Sequence, residues 1–225
     1  MKIVVLLPTL NEENTIGSVI DGIKETVDCR IIVVDDASTD STRKVVLSKK
    51  VKLISLKEQV SLSKVFSRGL KEALKLKPDI IVHIDADGQY SPREIPKLIE
   101  PIKNSQADLV LGSRFSGKIE KMSFVKYVGN LFFSALVSLI LGEKISDAQT
   151  GFRAFTYDLA KNLRISSNYT YTQEMVIRAK RGGYRIKEVP VFFARRRYGE
   201  SRLINNPLKY GIRALLDIFR ANSQN

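Results

Sequence analysis

Tryptophan is absent from this 225-residue chain, and cysteine and histidine each occur once, as Cys29 and His83. A lone cysteine excludes an internal disulfide and suits a reducing compartment. A lone histidine leaves little room for histidine-based acid–base chemistry. His83 sits inside the apolar run 80–84, where local packing or hydrogen bonding is the expected role. Acidic residues are outnumbered, 24 Asp/Glu against 37 Lys/Arg, for a net charge of +13. From Val176 onward the ratio is twelve basic to three acidic. Such a block attracts phosphates, whether on nucleic acid, an anionic membrane or a phosphorylated substrate. Uninterrupted apolar runs of 18 residues are missing, so a spanning helix is not expected. Repeats, low-complexity stretches and interdomain linkers are also missing. The N-terminal run MKIVVLLPTLNEEN is followed by acidic residues and has no small-residue cleavage site, so it reads as a first strand and not as a secretory signal.

What is present is an alternation of strands and helices. Apolar runs at 2–7, 30–34, 51–56 and 80–84 read as strands. Helical spacing appears over about 12–26, 41–48 and 63–76. An apolar fraction of 44% and this alternation imply one α/β domain over 1–225 with a mostly parallel sheet. In such sheets ligands bind beyond the carboxyl ends of the strands. Pro8, Thr9 and Glu12 follow the first strand, Asp35-Asp36 the second, and Asp85-Ala86-Asp87-Gly88-Gln89 the fourth. Asp85 and Asp87, two apart in extended chain, can face one cleft, and two hard oxygen ligands suit Mg²⁺ or Mn²⁺.

VVLLPTLNEENTI, IIVVDDASTDST, IIVHIDADGQYSPREIPKL, LVLGSRF and DAQTGFRAF occur in this order, followed by Arg196-Arg197-Tyr198-Gly199-Glu200-Ser201-Arg202. Together they resemble the inverting glycosyltransferases of the GT-A fold, and among them the polyprenyl-phosphate (dolichol-phosphate) mannose synthases. The resemblance implies a Rossmann-like domain with amphipathic interface helices. About 1–115 would bind the nucleotide-sugar, GDP-mannose or a UDP-sugar, and about 116–225 the acceptor, a polyprenyl or dolichyl phosphate. It implies nucleotide contacts from Pro8, Thr9, Glu12, Asp36, Asp85 and Ala86, and a metal held by Asp85, Asp87 and Gln89. Asp87, Arg114 and Arg202 would be catalytic. Ser113, Arg114, Asp147, Thr150, Arg153, Glu174, Arg196, Ser201 and Arg202 would face the acceptor. The chain departs from the family pattern in Leu10 for an aromatic residue, Thr150 for Ser and Arg202 for Lys. Arg for Lys keeps the charge but changes the geometry of a phosphate contact.

A phosphate monoester acceptor, with a second pKa of about 6, needs no strong general base. If a carboxylate base is used, Glu174 is the candidate, although a Glu in a first helical turn also complements the helix dipole. Two segments point to a membrane surface. The run from Tyr127 to Leu141 is about 15 residues, roughly 22 Å as a helix and too short to span, with Asn130, Ser134 and Ser138 as a polar stripe, and it fits a half-inserted or surface anchor and a buried core helix equally. After Asn206-Pro207, Leu208, Ile212, Leu215 and Phe219 share one helical face beside basic residues, so membrane contact is favoured over docking on the domain. A cytoplasmic protein, peripheral at the cytoplasmic face of a membrane and held there with a membrane-anchoring partner, fits this reading. Nucleic acid does not, because Arg195-Arg196-Arg197 has no helix-turn-helix, zinc or aromatic RNA-binding signature around it.

Overall fold

The computed structural model describes residues 1–167, 171–199, 215, 216 and 218. Seven strands form one sheet: β1 (Ile3–Thr9), β2 (Arg30–Asp35), β3 (Lys52–Ser55), β4 (Ile80–His83), β5 (Leu109–Ile119), β6 (Arg153–Thr156) and β7 (Ile186–Phe193). Their spatial order is β3-β2-β1-β4-β6-β5-β7. Only β6 runs against its neighbours, pairing antiparallel with β4 and β5. The mostly parallel α/β fold expected from the alternation is therefore the fold observed.

Successive residues of β1 feed opposite faces, as the two-residue period of a strand requires. Val4 and Leu6 pack with Phe66, Leu70 and Val176 on one side. Ile3, Val5 and Leu7 pack with Ile16, Ile20 and Leu98 on the other. The covering helices are α1 (Ile16–Thr26), α2 (Thr42–Ser48), α3 (Leu62–Lys75), α4 (Ile95–Lys103), α5 (Phe124–Leu141), α6 (Tyr157–Asn162) and α7 (Thr172–Arg181). Strands buried on both faces lose the alternating pattern that marks a half-exposed sheet.

Helix α5 overturns the expectation for its segment. It begins at Phe124, not Tyr127, and its 18 residues have a mean hydropathy of 1.8. At 1.5 Å per residue it is about 27 Å long, so by length and composition alone it could cross a bilayer. Lys126 breaks the apolar run in sequence and hides its first turn. The helix is apolar on both sides, with Phe133 and Val137 buried in the core beside a serine. Ser134 is buried and its hydroxyl accepts the Ala148 N–H at 3.0 Å. Ser138 accepts the Ile145 N–H at 2.9 Å and donates to the Ser134 carbonyl at 2.7 Å. Phe124 and Leu139, each 80% exposed, and Val125, Val128, Leu131 and Phe132 point outward. The polar stripe read from the sequence faces the protein, where it satisfies the backbone of the segment after Gly142.

Of the C-terminal segment, Leu215, Leu216 and Ile218 are described. Ile218 is fully buried in the core and Leu215 packs beside it, while Leu216 is exposed. Ile218 and Leu215 dock on the domain, which corrects the expectation that Leu215 faces a membrane. Leu208, Ile212 and Phe219 lie outside the described residues.

Candidate active site

The ends of β1, β2 and β4 converge on one edge. Two left-handed residues turn the first two loops, Asn11 at φ 53° and Ala37 at φ 58°. Asparagine tolerates this region, whereas alanine there is held by its surroundings. The two loops grip each other. Asn11 N–H donates to Ser38 Oγ at 2.9 Å, Thr39 N–H to Asn11 Oδ1 at 2.8 Å, and Glu12 N–H to Thr42 Oγ1 at 2.8 Å. Asp36 Oδ1 accepts the Val60 N–H at 2.8 Å, and burial pushes its carboxyl above the usual range. Pro8 and Thr9 end β1, and Thr9 Oγ1 is buried without a hydrogen-bond partner among the described residues.

Arg196 joins three segments at this edge. Its Nη1 pairs with Asp87 Oδ2 at 2.8 Å, its Nη2 with Glu12 Oε1, and its Nε donates to the Tyr198 carbonyl. Asp87 Oδ1 also accepts the Gln89 N–H at 3.0 Å. Gln89 in turn exchanges hydrogen bonds with Ala194, its Nε2 donating to the Ala194 carbonyl at 2.9 Å and its carbonyl accepting the Ala194 N–H. Burial pushes Asp85 up to about 6 against the guanidiniums of Arg114, Arg153 and Arg196. Burial, and after it the Asp85 carboxylate, push Asp87 up to about 6 as well. Burial also raises Glu12, with Arg196 opposing it. Three carboxylates crowd one cleft, and cations nearby keep the cost bounded. Ala86, between the two aspartates, is packed into the core.

On the other side Arg114 lies almost buried on β5. Asp147 Oδ2 accepts its Nε at 2.7 Å and its backbone N–H at 3.0 Å, and Asp147 Oδ1 accepts Nη2 at 2.8 Å. Burial opposes the Arg114 charge, but Tyr90, Asp147 and Asp85 outweigh it and hold the guanidinium above its ordinary value. Ser113 Oγ meets Ser146 Oγ at 2.6 Å. Thr150 Oγ1 donates to the Gly112 carbonyl at 2.7 Å and lies 3.1 Å from Tyr90 OH.

The structure thus gathers Glu12, Asp85, Asp87, Gln89, Arg114, Asp147, Thr150 and Arg196 around one cleft. Arg153 stands behind it, fully buried, its guanidinium donating to the carbonyls of Thr150, Thr172 and Ala148 at 2.7–2.8 Å. Glu174 is committed elsewhere. Its Oε1 accepts from Ser166 and Arg178, and its Oε2 from Ser167. These bonds outweigh burial and hold its carboxyl below the usual range. His83 is buried, with its pKa lowered to about 4 by burial; Nδ1 lies 2.6 Å from the Gly151 carbonyl and Nε2 3.0 Å from Tyr171 OH. Ser201 and Arg202 lie outside the described residues. Sequence patterns did not single out Lys126. It is half-buried on α5, and its pKa is lowered, first by burial and then by Arg196 and Arg114, with Asp87 opposing. Its signal was available, as the one charge inside an apolar helix.

The hard oxygens of Asp85 and Asp87 suit a divalent cation, with Gln89 beside them. Among the described residues no three His, Cys, Asp or Glu side chains form a ready-made metal cluster. A cation here fits a site that shares it with phosphate oxygens and water.

A parallel sheet with acidic strand ends facing arginines is the architecture of the GT-A glycosyltransferases. The chain belongs to Glycosyl transferase family 2, which it matches over residues 4–164. It is 33% identical over 212 residues to the UDP-N-acetylglucosamine–dolichyl-phosphate N-acetylglucosaminyltransferase of Methanococcus voltae, covering 84% of each chain. It is 34% identical over 215 residues to the dolichol-phosphate mannosyltransferase of Pyrococcus furiosus, covering 90% of this chain and 59% of that one. The Mycobacterium tuberculosis glucosyl-3-phosphoglycerate synthase, solved with Mn²⁺, UDP and glucosyl-3-phosphoglycerate, superposes with a TM-score of 0.79 at 22% identity, over all of this chain and 81% of that one. That likeness establishes the fold.

Proposed function

We propose that this glycosyltransferase moves a sugar from a nucleotide-sugar to a polyprenyl phosphate, with inversion, using a divalent cation at a membrane surface. One observation carries the reading. The cleft that holds Asp85, Asp87, Arg114 and Arg196 lies within electrostatic reach of Lys126, near the start of a helix whose exposed face is apolar. An anionic headgroup and a lipid tail call for that juxtaposition.

Asp85, Asp87 and Gln89 would hold the cation, which when bound offsets the charge that builds on the leaving diphosphate. Glu12 and Asp36 stand at the strand ends to bind base and ribose. Arg114, fixed by Asp147, presents a positive edge to phosphate oxygens without reorganising, which is how an oriented charge lowers a barrier. Arg196 and Lys126 add positive charge at the same place. His83 and Glu174 are both committed to structural hydrogen bonds, in keeping with an acceptor phosphate that is already dianionic and needs no base from them.

For the donor, the Pyrococcus relative, a mannosyltransferase by name, favours mannose, which we take to be carried on GDP. The second reading, a UDP-sugar, is favoured by the Methanococcus relative, which this chain spans more fully. Incubation with radiolabelled GDP-mannose, UDP-glucose and UDP-N-acetylglucosamine, with polyprenyl phosphate and Mn²⁺, tests both. Label should enter the lipid phase from one donor and stay in water when EDTA is added. Transfer to water alone from every donor would refute the lipid acceptor.

A further inference from the structure

Gly151 is pinned to the site from three directions, yet it takes no part in the chemistry proposed for the cleft. Its carbonyl accepts from His83 Nδ1 at 2.6 Å, and its N–H donates to Tyr90 OH at 3.3 Å. Its α-carbon faces Asp85. A Cβ built there would lie 2.1 Å from Asp85 Oδ2, 2.7 Å from Cγ and 2.8 Å from Oδ1. No real pair of atoms tolerates such separations, so any side chain at 151 must evict the carboxylate or move the backbone.

The backbone has little freedom to move. Thr150 is held by the Gly112 carbonyl, and the Phe152 carbonyl accepts the Gly112 N–H at 2.8 Å. Arg153 then enters β6 opposite His83. The aspartate, by contrast, rotates about two side-chain torsions. Backbone conformation does not demand a glycine here, because Gly151 is absent from the positive-φ glycines 88, 142, 183 and 199. Its requirement is steric and points at one group.

We propose that Gly151 is a positioning residue for Asp85. Its bare α-carbon is the wall against which the carboxylate rests, so the segment 147–153 sets the geometry of the donor-side acid. The proposal rests on the metal reading above only for its functional consequence. A displaced Asp85 can no longer share a cation with Asp87.

The crystal structure of the Gly151→Ala protein tests the placement without any metal. The Asp85 carboxylate should move by about an ångström or more, which follows from relieving a 2.1 Å contact to ordinary van der Waals distance. An Asp85 left in place would overturn the proposal. Mn²⁺ titration in the presence of GDP or UDP, followed by electron paramagnetic resonance, tests the consequence. Orienting partners of a metal ligand change affinity by about 10–100-fold, and a loss in that range is expected for Gly151→Ala. In an Asp85→Asn background the same substitution should add less than about twofold, because the two changes act through one group. Equal losses in both backgrounds would show a general structural defect and overturn the proposal. Wild-type protein that binds no Mn²⁺ would instead refute the metal reading, leaving the crystal structure to decide for Gly151. If Gly151→Ala fails to fold, adding Asp85→Ala should restore the melting temperature. Failure of that rescue would also overturn it.

Discussion

Helices α3 and α5 both pack on the same hydrophobic core, yet only α3 turns a polar face to solvent. Helix α3 buries Val65, Phe66, Leu70 and Ala73 and shows Lys64, Arg68 and Lys71 to solvent. Helix α5 buries Phe133 and Val137 together with Ser134, and still shows Phe124, Phe132 and Leu139. In α3 the apolar stripe drives packing and the hydrophobic effect fixes the orientation. In α5 the serines take up the N–H groups of Ile145 and Ala148, which would otherwise be buried unpaired. A patch of exposed Phe, Val and Leu remains, of the kind that marks a docking surface on a soluble domain. The difference separates a helix with one apolar face, spent on the core, from one that packs on the core and leaves a second apolar face exposed.

Breaking the inward-facing helix should cost most. Phe66 stacks on Tyr171 with ring centroids 3.9 Å apart, and Phe66→Ala should lower stability by about 3–5 kcal/mol in denaturant unfolding. The site at the strand ends should respond in activity and not in folding. Asp87→Ala should remove about 100-fold or more of turnover, as loss of a charge-stabilising group does, with a melting temperature at or above that of the wild type. Full activity of the variant, or of wild type in EDTA, would remove the metal assignment.

The pH dependence follows with its sign. Asp85 and Asp87 titrate near 6 in the folded protein, above the usual carboxylate value of 3.8. Between those values the native state holds more protons than the unfolded chain, so these two groups stabilise the fold as pH falls and weaken it as pH rises through about 6. Metal binding needs the charged forms and should run the other way, declining as pH falls through the same window. Parallel Mn²⁺ titrations and melting curves from pH 7.5 to about 5 check the opposed trends.

The smaller effects sharpen the contrast within α5 itself. Ser134→Ala leaves the Ala148 N–H without its acceptor and should cost about 1–3 kcal/mol. Leu139→Ser on the exposed face should change stability by no more than about 0.5 kcal/mol. Combined with Phe132→Ser it should reduce binding to vesicles containing anionic lipid, leaving nucleotide binding intact. Added salt should weaken only the basic part of the attachment, since apolar burial is not screened. Vesicle binding unaffected by the double substitution would mean that α5 does not face the membrane.

Much of the fold and of the site is legible in short stretches of sequence. Four apolar runs, those that become β1 to β4, mark the parallel half of the sheet, because strands buried on both faces must be apolar and ligands collect at their carboxyl ends. The order of the motifs points to the family. The strands after β4 are harder to read. β6 is four residues long and runs antiparallel, and β5 and β7 pair with a break in register between Ser113 and Lys118, so neither leaves a strong period.

By itself, then, the sequence determined the α/β class, the edge that carries the carboxylates and the excess of cations around them, all properties of short segments and their order. Tertiary structure alone decided which way α5 turns, because that depends on which unpaired backbone groups lie beneath it. It likewise decided that Arg196 reaches Glu12 and Asp87 from more than a hundred residues away, and that Ile218 docks on the core. The space left by one glycine for the Asp85 carboxylate belongs with these. Each depends on distances between segments far apart in the chain, which the periodicity of any one segment does not encode.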